Sequence, residues 1–310
     1  MYYQPEPISG LHLHPRNRKL MDELMNAPKS YSTINGELAR DAYRRHEGEP
    51  WILKRAYALA AQLKNMPIYI RDGELLTGNH TAGLQVMPRL PDDIDFKENI
   101  RANADDARYE VLGLYENFYG KLSPDAKRAQ ECLLAGYSAG SGDGFGHIMA
   151  DYGMIIREGA LELAAKSELQ AKVFDDEGKI RQRDFCRASA IACRAYAGFG
   201  RRYEALAREE AAHCTDEKRR QELLRIAEIC AQVPAYPARN FYEAIQGMYL
   251  THMAMQVEQH AGSVSIGQFD RILYPYYRSD IENKTMTTDF AVELVENFCV
   301  KVMENAIWPR

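Results

Sequence analysis

Apolar positions along most of this chain recur at three- and four-residue steps, the period of a helix with one buried face. After a polar, proline-interrupted arm, the residues from Asn17 to Asn26 predict a short helix. From Ser30 to Asn65 the period continues through Ala39, Tyr43, Trp51, Ala56, Leu59, Ala60 and Leu63 until Met66-Pro67 stops it. Ile68-Tyr69-Ile70 reads as a short β-like run and Asp72-Gly73 as a turn. The segment Glu74 to Asn79 then opens a glycine- and proline-punctuated loop that reaches Asp93. Ser123-Pro124-Asp125 predicts a helix start, with a capping serine, proline at the first helical position and an acid in the first turn. A further helix carries Ile155, Ile156, Leu161 and Leu163 to about Glu168. Asp184 to Gln232 is helical, with breaks expected near Gly198 to Gly200 and at Thr215, where Thr215-Asp216-Glu217 marks a new start. Ser279-x-x-Glu282 has the form of a capping box, and Asp289 to Ala306 predicts another helix.

One helix departs from this one-faced pattern. Behind Pro237, the residues Phe241, Ala244, Ile245, Met248, Tyr249, His252, Met253 and Met255 are apolar around most of the circumference, so this helix belongs inside a large domain. It gives way to Ala261-Gly262-Ser263-Val264-Ser265-Ile266-Gly267, a bend of small and β-branched residues where other groups can approach the backbone closely. No repeat period and no low-complexity linker divides the chain, so residues 1–310 are expected to form a single unit.

Composition narrows the function classes. A chain of 310 residues with a formal charge of −5 and no basic stripe gives no reason to expect nucleic acid. No run of about eighteen apolar residues is present, so no membrane span is expected. The first residues lack the basic start and apolar block of a secretory signal. Six cysteines at wide, irregular spacings form no C-x-x-C pair and read as free thiols of a reducing, cytoplasmic protein.

Two glycine-rich bends are candidates for chemistry. In Gly142-Asp143-Gly144-Phe145-Gly146-His147 the glycines lack the spacing of a phosphate cradle, which leaves the His147 imidazole as a proton donor or acceptor near neutral pH. The plain alternative is a histidine that caps the following helix. Ser263 offers a hydroxyl in the second bend, and no G-x-S-x-G elbow surrounds it to suggest a hydrolase. His252, Glu258 and His260 do not have the i, i+4 histidine spacing of a helical zinc site. Glu74 and Asn79 have the alternative of tying down their own loop through backbone hydrogen bonds.

Taken together in order, these stretches resemble the glycyl radical enzyme family, the pyruvate formate-lyase-like proteins. The resemblance is carried by Phe241, Glu243, Ala244, Gln246, Gln256, Glu258, Ser263, Ser265, Gly267, Gln268, Phe269, Asp270 and Tyr274 to Tyr277. Upstream it rests on Lys54-Arg55-Ala56, Ile68, Ile70, Glu74-Leu75-Leu76, Gly78-Asn79, and on His147, Asp151 and Tyr152. It implies that His147 and Ser263 bind substrate, while Glu74, Asn79, Asp151, Glu258 and Asp270 belong to the structural motif. Gly262 stands where dehydratases of the family have a histidine before the serine, which weakens a glycerol or propanediol dehydratase reading.

The resemblance also implies a fold: mostly α with a few short strands, an amino-terminal helical layer and part of the first half of a ten-stranded α/β barrel. No R-V-A-G phrase and no cysteine in a G-C-x-E context occurs, so no catalytic residue is expected within this chain and the domain is expected to be incomplete at its carboxyl end. The implied activity is that of a lyase cleaving a C–C, C–O, C–N or C–S bond of a small organic substrate by thiyl radical chemistry. No cofactor would bind directly. The radical glycine, outside this chain, would be installed by a partner activating enzyme using S-adenosylmethionine and an iron–sulfur cluster, and the intact protein would be a homodimer. A helical partner module without catalysis and a non-functional truncation are the other two readings.

Overall fold

The computed structural model describes residues 13–88, 148–259 and 264–304. In chain order the elements are α1 (Pro15–Asn26), β1 (Ser30–Ser32), α2 (Ile34–Arg45), α3 (Trp51–Asn65), β2 (Val86–Pro88), α4 (Tyr152–Glu158) and α5 (Ala160–Asp176). There follow α6 (Ile180–His213), α7 (Glu217–Gln232), α8 (Phe241–Gln259), α9 (Phe269–Glu282) and α10 (Thr288–Met303). The chain is mostly helical. β1 and β2 pair in parallel, Ser30 with Val86 and Ser32 with Pro88. No described helix is long and apolar enough to cross a membrane.

α8 sits at the centre, as its all-round apolar sequence predicts. Ala244, Ile245, Met248, Tyr249, Leu250, Met253 and Val257 are completely buried, and each larger side chain among them contributes roughly 1.5–3 kcal/mol of transfer free energy. α3, α4, α6, α7, α9 and α10 all pack against it. Its first turn is held by Asn240, whose Oδ1 accepts from the Glu243 amide at 2.9 Å, and by Asp280 of α9, which accepts from the Phe241 amide at 2.8 Å.

Several helix boundaries differ from the periodicity, each for a local reason. The run from Ser30 to Asn65 divides into β1, α2 and α3, because Ser30 to Ser32 pair with β2 and Pro50 opens a new helix. The helix expected through Ile155 and Leu163 is split at Gly159, which has φ +78°. There the Ala160 and Leu161 amides donate to the Pro234 and Ala235 carbonyls. α6 runs unbroken through Gly198 to Gly200. Gly200 is needed for close approach, since a Cβ there would press on Pro234 and come within 2.9 Å of the Val233 carbonyl oxygen. Ser279 lies inside α9 and makes no capping box; the following helix, α10, is capped by Thr287, whose Oγ1 accepts from the Phe290 amide at 3.2 Å. The helix start expected at Thr215 to Glu217 is present, with Asp216 as the cap of α7, accepting from the Arg219 amide at 2.8 Å. Ile68 to Ile70 is not a strand; the Tyr69 amide donates to the Asn79 side chain. The helix expected after Ser123 lies outside the described residues.

The loop from Glu74 to Asn79 is buried although it has no regular secondary structure, so side chains must satisfy its backbone. Gln246 of α8 accepts from the Thr77 amide at 2.9 Å and donates to the Thr77 carbonyl at 2.7 Å. Asn297 of α10 accepts from the Leu76 amide at 2.9 Å, and the Tyr242 hydroxyl donates to the Leu75 carbonyl at 2.5 Å. Gly78 leaves no room for a Cβ, which would lie 2.7 Å from the Tyr249 ring.

Candidate functional site

The two glycine-rich bends singled out in the sequence lead into segments that meet. Met149 and Ser265 form a parallel bridge, with the Ser265 amide donating to the Ile148 carbonyl at 2.9 Å. Gly267 makes this approach possible: its φ is +68°, and a Cβ there would lie 2.5 Å from the Met149 sulfur. Its amide donates to Ser265 Oγ at 3.0 Å, which tightens the turn into α9. On the other side Asp151 caps α4, its Oδ1 accepting from the Met154 amide at 2.9 Å. Each bridged segment thus runs directly into a helix.

Between these helices lies a cavity of about 610 Å³, lined by residues including Met149, Asp151, Arg157, Gln268, Arg271 and Tyr276. Burial pushes the Tyr276 phenol up, and the charge of Arg157 opposes that push. Beneath the cavity, Tyr152 of α4 is completely buried, with its hydroxyl 3.1 Å from His252 Nδ1 on α8. Burial lowers the His252 imidazole to about 4, so this pair is neutral at physiological pH. The Tyr196 hydroxyl donates to the Gly247 carbonyl at 3.0 Å and lies 2.7 Å from Thr251 Oγ1, which anchors α6 to the same face of α8.

The structure separates the predicted site residues. His147 and Ser263 lie outside the described residues. Asp151 lines the cavity and caps α4, and Asp270 is exposed in the first turn of α9. Glu258 pairs with Arg55 of α3. Glu74 and Asn79 are not among the lining residues; Asn79 ties down its own loop, whereas the Glu74 carboxylate accepts from the Arg71 and Lys301 side chains instead. Asn79 Nδ2 donates to the Pro67 and Thr81 carbonyls at 2.9 and 2.8 Å, and its Oδ1 accepts from the Tyr203 hydroxyl at 2.5 Å.

Glu74 belongs to a buried four-charge cluster whose other members the periodicity did not single out. Lys301, completely buried, donates to Glu74 Oε1 at 2.7 Å and to Glu304 Oε2 at 2.9 Å. Arg71 donates to Glu74 Oε1 at 2.9 Å and also pairs with Glu304. Lys301 further lies 5.7 Å from the Tyr249 ring centre. Burial pushes the Glu304 carboxyl above its ordinary value; Lys301 and Arg71 pull against that shift, and Glu74 adds to it. Two anions and two cations leave the cluster balanced, the condition for keeping charge inside a core.

The described cysteines are free. Burial pushes the Cys193 and Cys230 thiols up, away from the thiolate form that nucleophilic sulfur chemistry starts from. Among the described residues no group of three or more histidine, cysteine or acidic side chains is placed to hold a metal ion.

The chain is mostly helical, and the segments from Ile148 and from Ser265 that follow its two glycine-rich stretches meet beside a cavity. Residues 15–309 match the model of the pyruvate formate lyase-like family, and the chain belongs to that family of glycyl radical enzymes. It is similar to the probable dehydratase YbiW of Escherichia coli, at 29% identity over 293 residues, covering 85% of this chain and 36% of the relative. Its fold is similar to that of the Roseburia inulinivorans protein studied for 1,2-propanediol dehydration, with a TM-score of 0.76 and 25% identity over 97% of this chain and 40% of that one. It is also similar to a glycyl radical enzyme from Archaeoglobus fulgidus, with a TM-score of 0.73 and 26% identity over 93% of this chain and 40% of that one. The chain therefore spans about two fifths of the length of the relatives it matches.

Proposed function

We propose that this chain is the amino-terminal part of a glycyl radical lyase that cleaves a C–C, C–O, C–N or C–S bond of a small organic substrate. In this reading it supplies the helical layer and the first part of the barrel, while the thiyl-forming cysteine and the radical glycine lie outside it. The observation that supports this most directly is the parallel bridge between Met149 and Ser265 beside the 610 Å³ cavity. His147 and Ser263 each stand two residues before a bridge partner in the sequence. The imidazole and the hydroxyl would hold a substrate hydroxyl by hydrogen bonds and move a proton as the bond breaks. Gly262, in place of the dehydratase histidine, argues for a substrate other than glycerol or propanediol.

The radical would be installed by an activating enzyme using S-adenosylmethionine and an iron–sulfur cluster, and would supply the hydrogen-atom abstraction that starts the reaction. We place the intact protein in the cytoplasm as a homodimer. The test is electron paramagnetic resonance on the intact polypeptide after anaerobic activation. A glycyl radical signal is expected, and His147→Ala should keep that signal and the fold while lowering turnover. Absence of any protein radical under conditions that activate a relative would overturn the reading.

A further inference from the structure

α10 turns Asp289, Glu293 and Glu296 toward α1, and acids at this spacing repel one another along a helix. Two groups at the start of α1 meet them. Arg16 donates from Nε to Glu293 Oε1 at 3.0 Å and from its two Nη atoms to Glu222 of α7 at 2.8 and 2.6 Å. His14, just before α1, places Nδ1 2.9 Å from Glu296 Oε2 and Nε2 3.4 Å from Asp289 Oδ1. A carboxylate thus stands at each ring nitrogen, and the imidazolium is the form with a proton for both. His252 and His213 by contrast face a tyrosine hydroxyl and a backbone carbonyl.

The same Glu296 oxygen is the start of a buried relay. It accepts from the His14 amide at 2.9 Å and from Nδ2 of the completely buried Asn17 at 3.0 Å. Asn17 Oδ1 accepts from Nδ2 of Asn297 at 2.8 Å, and Asn297 Oδ1 holds the Leu75 and Leu76 amides of the buried loop. α1 also covers the cation of that loop: its Leu20 carbonyl accepts from Arg71 at 3.2 Å, and Glu23 meets Arg71 at 3.5 Å.

We propose that α1 is a proton-operated clasp, which closes on α10 and braces the Glu74 to Asn79 loop while His14 is protonated and loosens when that proton leaves. The hydrogen bond to Glu296 raises the His14 imidazole above its ordinary 6.5; burial opposes the rise, and Glu293 and Asp289 add to it. A raised value in the folded state means that this contribution is fully present below about 6.5 and is lost as pH climbs through the folded-state value. The other charges around α1 are already paired: Glu222 of α7 with Arg16 and Arg219, and Asp72 of the loop with Lys19. Arg16 stays charged throughout and keeps α1 tethered, so the clasp loosens without detaching. The device does not depend on the lyase reading.

The experiment is deuterium exchange read by mass spectrometry on the full polypeptide, at histidine C2–H for the His14 titration and at backbone amides for the clasp. His14, resolved from His12 by fragment ions, is expected to titrate above 6.5, and Glu296→Gln should bring it back toward that value. After correction for intrinsic rates, protection of α1 should fall about fivefold from about pH 5.5 to about 8.5, the reach of an ion pair partly open to solvent. The Leu75 and Leu76 amides should lose protection in parallel. His14→Gln should show the lower protection at both pH values, and α6 amides from Ala188 to Tyr196 are the control that should not move. A His14 midpoint at or below 6.5, α1 protection independent of pH, or the same pH-linked loss in His14→Gln overturns the inference. Loss in α1 without loss at Leu75 and Leu76 overturns the link between the clasp and the loop.

Discussion

Replacing Lys301 with methionine tests the cluster that holds the Glu74 to Asn79 loop. In the native chain the Lys301 ammonium meets Glu74 Oε1 at 2.7 Å and Glu304 Oε2 at 2.9 Å, and all three side chains are buried. Methionine fills nearly the same volume, so the main loss is charge. Arg71, which also meets Glu23 at 3.5 Å, is then the one cation against the two buried carboxylates, and Glu74 Oε2, which has no hydrogen-bond partner among the described residues, cannot compensate. Breaking a buried pair from one side costs about 3–5 kcal/mol, a large part of the roughly 5–15 kcal/mol that holds a domain together. The double variant Lys301→Met/Glu74→Gln keeps the Arg71–Glu304 pair balanced and removes the orphaned charge. It should therefore be less destabilised than the sum of the two single changes by at least about 1 kcal/mol. Urea unfolding at pH 7, followed by far-ultraviolet circular dichroism, measures all four corners of this cycle. A loss below about 1 kcal/mol for Lys301→Met, or additive single changes, would show that the cluster is solvated and that the reasoning from burial is wrong.

Two further outcomes follow from the geometry. Gly159→Ala places a Cβ 2.6 Å from Tyr236 backbone atoms at φ +78°, and should cost more than about 2 kcal/mol. Gly178→Ala, at φ +69° with nothing within 4 Å, should cost only about 1 kcal/mol, and equal losses in urea unfolding would refute the steric account. Burial holds His252 at about 4 in the folded state against an ordinary 6.5. The unfolded chain therefore binds a proton in that window when the folded chain does not, so stability should fall as pH drops from 6.5 toward 4, by up to about 3 kcal/mol. His252→Gln should flatten that part of the urea-midpoint profile, and an unchanged profile would show that other groups set it.

The helices were legible in the sequence because their signals are local. The period that buries α8 on all sides, the helix start at Thr215 to Glu217 and the halt at Met66-Pro67 each rest on residues close in sequence, and each stands where it was expected. The family was legible because a long ordered set of residues carries it, including Glu74, Asn79, Glu258 and Asp270. The mostly helical fold followed from both. What local signals could not convey was which partner a residue would find.

Gly198 to Gly200 look like a helix break in one dimension, yet Gly200 is small because the Val233–Pro234 peptide lies against it, thirty-odd residues away. Ser279 and Glu282 have capping-box spacing, but α9 already passes through them, so the amides they would cap are bonded. The role of Glu74 depends on Lys301, over two hundred residues later, and no spacing rule spans that distance. Nothing in the sequence joins Arg157 to Arg271, yet the Met149–Ser265 bridge sets α4 and α9 on either side of one cavity that both line. The sequence by itself determined the helices and the family, because both rest on short-range order. Only tertiary structure decided which charges are buried and paired and which line a cavity, because desolvation and Coulomb energy depend on distance through space.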